Sequence, residues 1–186
     1  CVGADDDGDS EADGDDSIYL QIFAAGGIPL GDPLRIEAPG VTNGIDGAPQ
    51  VLGLSDDSFV LAWMGENDSG DMHWFVQRFA VDISADNVFD STVTPEAAIE
   101  LSPAVPSTQW NPMQPRQWTS LPAQLTALGN GDFVISWVGV SQNTDPGVFV
   151  QRFTGESDSG EAVQLRSPSG AGAGDEPPRV AALGTG

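Results

Sequence analysis

The side chains able to do chemistry in this 186-residue chain are mainly carboxylates, because 28 Asp and Glu stand against six Arg and one histidine. The densest group spans residues 5–16, where eight acids are interspersed with Gly, Ser and Ala. Asp-rich spacing of this kind supplies hard oxygen ligands, so Asp5, Asp7 and Asp9 are candidate calcium ligands. The complete calcium-loop pattern with its distant Glu is absent, and an extended acidic linker is the competing and favoured interpretation.

A second acidic group lies next to the only histidine. His73 follows the loop 66–71, and a metal site that includes Asp68 or Asp71 is one interpretation of this spacing. A solvated loop histidine is the alternative that the sequence favours. His73 has no nucleophile of the Gly-x-Ser-x-Gly type to serve, so the sequence predicts no catalytic residue and a protein that is not an enzyme. A pair of acids acting as a glycosidase dyad is the remaining enzymatic alternative.

The charge balance excludes several classes of partner. A formal net charge of −22 leaves no basic surface for nucleic acid, because phosphate contacts need clustered Lys and Arg. No apolar run approaches the roughly 20 residues that a transmembrane helix needs. An anionic bilayer would also repel the chain, so contact with a membrane requires a covalent tether.

Cys1 is the only cysteine, and an acidic, Gly-containing segment follows it directly. This arrangement resembles a mature bacterial lipoprotein, in which an N-terminal Cys carries thioether-linked lipid. The resemblance implies lipid attachment at Cys1 and an extracytoplasmic location, at the cell surface or the periplasmic face of a membrane. Residues 1–16 are then an anchor with a flexible acidic linker. The alternative is that Cys1 is an incidental first residue.

From residue 17 to residue 186 the sequence is repetitive, which is its strongest signal. Phe59-Val-Leu-Ala-Trp63 recurs 74 residues later, and Phe75-Val-Gln-Arg-Phe79 recurs identically at the same spacing. The unit is about 55 residues long with four segments, and the middle unit is longer. We name these segments A (49–54), B (59–63), C (75–79) and D (97–101). Further copies occupy 122–128, 133–137, 149–153 and 162–165, with earlier C and D copies at 19–23 and 33–36 and a last A copy at 178–183.

Each segment has the alternation of a β-strand, with aromatic and β-branched residues at every second position. Turn residues separate the segments, and Asn130-Gly131 between A and B predicts a tight hairpin. The order is C-D, A-B-C-D, A-B-C-D, A, so the pattern requires a B strand after the last A. We therefore expect the natural protein to continue beyond Gly186.

The pattern Gly-Asp-Phe-Val-Ile-Ser-Trp followed by Val-Phe-Val-Gln-Arg-Phe resembles a repeat of large secreted or surface proteins of bacteria. The resemblance covers 17–186 and implies four-stranded propeller blades. The expected fold is therefore all-β, with antiparallel four-stranded repeats in a β-propeller-like arrangement, either a partial propeller or a fragment of a longer one. An open β-repeat array and a three-fold β structure are the alternatives.

Residues 102–120 form an insert in this pattern that is rich in Pro, Gln and Trp. An extended loop that exposes aromatic and Met side chains is a plausible recognition element. Candidate partner contacts are Trp110, Met113, Arg116 and Trp118. Packing of both tryptophans back onto the sheets is the competing interpretation. The Gln-Arg pairs at 77–78 and 151–152 recur in both units, which favours a structural role over a ligand site.

Taken together, these features predict a non-enzymatic, lipid-anchored surface or periplasmic protein. Its partner would be a protein or a cell-surface component, as for an adhesin, a scaffold or an accessory subunit of a membrane-anchored assembly. No cofactor is expected beyond the lipid on Cys1, although calcium is possible. The alternatives are a calcium-stabilised secreted repeat protein and, less favoured, a hydrolase acting on glycans.

Overall fold

The computed structural model describes residues 17–24, 26–41, 44, 46–84, 91–103, 123–140, 146–154, 157–158, 160–166 and 179–182. Within these ranges the chain forms twelve β-strands and no helix. A helix long and apolar enough to cross a membrane is accordingly not found in the described part of the chain. All strand pairs are antiparallel, so the predicted all-β antiparallel class is confirmed.

The strands belong to three sheets that follow one another along the chain. The first sheet is a hairpin of β1 (Ile18–Phe23) and β2 (Pro29–Ile36). The second contains β3 (Asp46–Gly53), β4 (Ser58–Glu66), β5 (Met72–Asp82), β6 (Thr92–Pro95) and β7 (Ile99–Glu100). The third contains β8 (Gln124–Gly129), β9 (Asp132–Val140), β10 (Pro146–Thr154), β11 (Ser157–Asp158) and β12 (Val163–Arg166).

Apart from the last A copy, the segments of the sequence pattern coincide with these strands in order. In the second and third sheets, segments A, B and C are three neighbouring full-length strands, and the first sheet contains C and D alone. Segment D differs from expectation in the second and third sheets, because the outer strand there is divided into two short pieces that pair with the same C strand. The three described sheets do not close into a ring or barrel.

Cross-strand aromatic pairs hold each B strand to its C strand. Phe59 lies opposite Phe79, and their rings stack with centroids 4.8 Å apart, while Trp63 stacks on Phe75 at 5.6 Å. The third sheet repeats this arrangement, with Phe133 on Phe153 at 4.8 Å and Trp137 on Phe149 at 5.9 Å. Aromatic pairs of this kind stabilise a sheet beyond the area that they bury. The aromatic residues of the repeat are therefore explained by pairing within each sheet.

The sheets pack face to face, and the second lies between the other two. One face of β4 and β5 presents Leu61 and Trp63 to the first hairpin, where they meet Ile18 and Ile36. The opposite face of the second sheet packs against the aromatic face of the third. The core between these two sheets contains Val60, Ala62, Met64, Trp74, Phe133, Ile135 and Trp137. In both complete sheets, the face that contains the stacked aromatic pairs thus packs against the preceding sheet.

The A strands lie closest to one another across the sheets. Strand β3 contacts β8, and the hydroxyl of Thr126 on β8 donates a hydrogen bond of 2.9 Å to the carbonyl of Val180. Residues 179–182, which belong to the last A copy (178–183), therefore lie beside β8, but the structure does not assign them to the strand that the sequence predicts. The outer D strands are the far edge of each complete sheet.

The A–B connection of the third sheet is the tight hairpin that the sequence predicts. Gly129 pairs with Asp132, and both intervening residues have positive φ, 55° at Asn130 and 76° at Gly131. These dihedrals match a type I′ turn, whose twist suits antiparallel strands. Glycine at position 131 is required on conformational grounds, because side-chain-bearing residues rarely adopt this φ.

Position 136 tests whether equivalent positions of the second and third sheets have the same environment. Ser136 is fully buried, and its hydroxyl has no hydrogen-bond partner in the described structure, whereas Ala62 occupies the equivalent position of the second sheet. An unsatisfied buried hydroxyl costs about 1–3 kcal/mol. We expect Ser136→Ala to raise the free energy of unfolding by about 1 kcal/mol, measured as a higher urea midpoint.

The reverse change, Ala62→Ser, is the matched control and should lower the same midpoint. A stability loss in Ser136→Ala would show that the hydroxyl has a partner and that the two positions are not equivalent.

Candidate interaction site

A glutamine at the same position of each C strand donates a hydrogen bond to the backbone of the outer strand or of its interruption. In the second sheet, Gln77 donates a 2.7 Å hydrogen bond from Nε2 to the carbonyl of Glu96, which lies between β6 and β7. In the third sheet, Gln151 donates in the same way to Gly160, between β11 and β12, at 3.0 Å. Gln21 on β1 reaches the carbonyl of Gly31 at 3.3 Å, beside an irregularity in the β1–β2 register.

This recurring bond satisfies a carbonyl at the point where the D strand leaves the ladder. The glutamines thus have a structural role, in agreement with the interpretation drawn from their recurrence.

The neighbouring arginine faces the other way and contacts the A–B turns. Arg78 forms an ion pair with Asp56 in the turn of its own sheet. Its Nη1 also donates to the carbonyl of Gly131, in the turn of the next sheet, at 3.3 Å. Arg152 binds Asp132 of its own turn at 2.6 Å. Both acids lie in the same sheet as their arginine, and the contact that Arg78 makes with the next sheet is to a backbone carbonyl.

The two repeated tryptophans use different acceptors. The indole N–H of Trp63 donates a hydrogen bond of 3.1 Å to the buried carboxylate of Asp46 at the start of β3. The indole N–H of Trp137 donates at 3.3 Å to the carbonyl of Pro103, which follows the D strand of the preceding sheet. A buried indole needs such an acceptor. Each tryptophan is therefore fixed both by stacking and by one hydrogen bond.

His73 is turned towards the D strand and not towards the acidic loop. Its Nδ1 lies 3.0 Å from the carbonyl of Leu101 and 3.0 Å from Oε1 of Glu100. The loop 66–71 is closed by Asn67, whose side-chain oxygen accepts hydrogen bonds of 3.0 Å from the backbone of Ser69 and Asp71. His73 therefore connects the beginning of β5 to residues 100–101, at the end of β7.

The candidate metal ligands of this region stay a prediction. Asp68 and Asp71 lie exposed on the loop. Among the residues that the structure describes, no group of three or more His, Cys, Asp and Glu is arranged to hold a metal ion.

A groove of about 620 Å³ lies between the outer strands of the second and third sheets. Its lining combines carboxylates, a hydroxyl and an amide: Glu100, Ser102, Pro103, Gln151, Gly160 and Glu161. A smaller groove of about 410 Å³ occupies the equivalent place between the first and second sheets, beside Gln77. It contains Arg35 and Glu37, which form an ion pair of 2.8 Å. The grooves share a position but differ in charge.

The groove is also where the insert begins. Ser102 and Pro103 line it, and the insert continues from them as residues 104–120. The candidate contacts Trp110, Met113, Arg116 and Trp118 lie outside the described residues, as do Cys1, Asp5, Asp7 and Asp9.

Sequence reasoning missed the groove residues Glu100 and Glu161, because their proximity depends on how two sheets stack. It also missed Asp46 as the acceptor for Trp63. The only available signal was an acid at the start of an A strand, 17 positions before the tryptophan.

Comparison with known proteins finds no matching family model, no similar curated protein and no similar solved structure. The function of the chain is therefore inferred from its own residues and geometry.

Proposed function

We propose that this chain is a non-enzymatic interaction protein, in which stacked β-sheets form a scaffold and non-repeated surface segments bind a protein or another cell-surface component. The observation that carries this proposal is that the repeated polar side chains form hydrogen bonds and ion pairs within the scaffold. Gln77, Arg78, Gln151 and Arg152 all bind backbone or side-chain groups of the scaffold itself. The repeats thus supply support, and recognition falls to features that occur once.

The scaffold belongs, in this proposal, to a β-propeller-like assembly. Two features support this arrangement: the sheets stack face to face, and their A strands lie nearest one another while the D strands form the far edge. Radially repeated four-stranded sheets have this order.

The binding element of this proposal is the insert 102–120. It begins at Ser102 and Pro103 in the larger groove, beside Glu100 and Glu161, so a partner bound by the insert would also face these carboxylates. Exposed Trp and Arg are the side chains that most often dominate binding interfaces. Trp110 and Trp118 are therefore the residues that we assign to partner contact.

Photo-crosslinking in the producing cells tests this assignment. We expect p-benzoylphenylalanine in place of Trp110 or Trp118 to yield one discrete crosslinked species, because the probe replaces one aromatic contact with another. The matched control is the same probe in place of Leu165, an exposed side chain on β12. Equal crosslinking at all three positions, or none at any, would contradict the proposal.

Anchoring through lipid on Cys1 is the second part of the proposed function. The supporting observation is the acidic segment 5–16, which suits a flexible tether between an anchor and a folded domain. We expect the protein from detergent-extracted membranes to carry the mass of several acyl chains, localised to Cys1 by top-down fragmentation. A Cys1→Ser variant should lose both the added mass and the membrane association. An unmodified Cys1 in membrane-extracted protein would remove the anchor from the proposal without affecting the crosslinking result.

A further inference from the structure

Three of the six arginines form ion pairs with acids close by in the described structure. Each has at least one carboxylate within 3.8 Å: Arg35 has Glu37, Arg78 has Asp56 and Glu96, and Arg152 has Asp132. Four of the 28 acids are in these pairs, so three further arginines remain for the other 24 acids. This shortage of positive charge follows from the sequence and is the same wherever the residues outside the described ranges lie.

Several carboxylates on the surface form no hydrogen bond or ion pair with another described residue. Asp32 on β2, Asp82 at the end of β5 and Glu161 just before β12 are of this kind, and all three are exposed. Like charges of this kind repel one another and destabilise the folded state. Ions from the solution are then the available source of neutralising charge.

Folding brings the carboxylates closer together. For a chain of 186 residues, the radius of gyration falls from about 46 Å unfolded to about 16 Å folded. The Debye length is about 30 Å at 0.01 M salt and about 8 Å at 0.15 M salt. At low salt, carboxylates therefore repel one another across the whole folded molecule, whereas at the higher salt concentration only near neighbours do.

The same ions also weaken the ion pairs, but this opposing effect is the smaller one. Exposed ion pairs contribute little to stability in most proteins, and the side chain of Arg78, which is 12% exposed, is in a pair that salt screens less. The repulsion, in contrast, grows with the square of the net charge, which is −22. The balance therefore favours a fold that salt strengthens.

We propose that dissolved cations stabilise the folded state of this chain by gathering around its carboxylates without occupying a fixed site, so that ionic strength controls its stability. The ligand class is a small inorganic cation that acts through its charge alone. This inference goes beyond the proposed interaction function and does not depend on it. It also differs from a calcium-stabilised fold, in which one type of ion binds to defined oxygen ligands.

Urea unfolding of the full chain at neutral pH, followed by circular dichroism, tests the proposal. We expect the urea midpoint to rise by about 0.5–1 M as NaCl is raised from about 0.01 M to about 0.15 M. Potassium chloride should give the same curve, because screening depends on charge and concentration. Micromolar calcium chloride added in the presence of about 0.15 M NaCl should give no further rise.

Two matched variants identify the source of the salt response. The triple variant Asp32→Asn, Asp82→Asn, Glu161→Gln changes the net charge from −22 to −19. Its midpoint should be higher than that of the parent at low salt, and its response to salt should be smaller by about one quarter, because repulsion scales with the square of the charge. The control variant Asp32→Glu, Asp82→Glu, Glu161→Asp keeps the charge and should respond as the parent does.

Three results would overturn the proposal. A midpoint that is constant or falls with added salt would show that the ion pairs outweigh the repulsion. A saturable rise with micromolar calcium would identify a dedicated metal site. An equal salt response in the triple variant and its control would show that exposed carboxylates are not the source. The crosslinking test at Trp110 and Trp118 does not measure stability, so the two proposals can fail separately.

Discussion

Trp63→Ala is expected to lower the free energy of unfolding by about 3–5 kcal/mol, the usual cost of truncating a large buried aromatic side chain. Trp63 is fully buried, stacks on Phe75 and fills the space between the second sheet and the first hairpin. Its loss removes contacts within one sheet and between two sheets at the same time. Urea unfolding followed by circular dichroism measures the change.

The Phe variants of the two repeated tryptophans isolate the hydrogen bond. Trp63→Phe keeps a ring on Phe75 but leaves the buried carboxylate of Asp46 without the indole donor. Trp137→Phe takes a donor from the carbonyl of Pro103 only. Because hydrogen bonds to charged groups contribute more than those to neutral groups, we expect Trp63→Phe to cost about 1–2 kcal/mol more than Trp137→Phe. Equal costs would show that the carboxylate of Asp46 does not depend on this bond.

Gly131→Ala is expected to destabilise the protein by about 2–4 kcal/mol for two separate reasons. The residue has a φ of 76°, which disfavours any residue with a side chain. A methyl group at this position would also lie 2.9 Å from Nη2 of Arg78 and would meet the carboxylate of Asp56. The substitution therefore strains the turn and disturbs the contact between the second and third sheets.

Gly129→Ala is the matched control for this prediction. Its φ of 96° imposes comparable backbone strain, but apart from its chain neighbours no atom of the described residues lies within 4 Å of the position that its methyl group would take. We expect it to cost about 1–2 kcal/mol, so the difference between the two variants measures the contact between sheets. Equal losses in the two variants would assign the whole effect to the turn and none to the Arg78 contact.

Local sequence patterns predicted many of the strands and one of the turns. Alternation with a period of two located β4, β5, β9 and β10, because a strand with one aromatic and one aliphatic face shows this pattern in sequence. The Asn130-Gly131 dipeptide identified its turn, since both residues tolerate positive φ. These features depend on residues that are close in sequence.

The remaining features depend on strand pairing or on how sheets stack, which the spacing of residues does not encode. The division of the D strand could not be read from segment D, because it appears only in the pairing with β5 and β10. The partner of Arg78 across the sheets is a backbone carbonyl, and every residue has one. The groove beside Gln151 brings together acids from two repeats whose relative placement no motif specifies.

The interrupted outer strands have a consequence for how this protein behaves at high concentration. Each complete sheet ends in two short pieces rather than a long flat strand, and β2 carries prolines at 29 and 33. Broken and proline-containing edges are poor templates for uncontrolled sheet-to-sheet addition, which is the first step towards amyloid-like fibres. The outer rim is therefore protected against fibre growth, and a net charge of −22 adds mutual repulsion between molecules. Both features favour separate molecules over extended aggregates when the protein is concentrated.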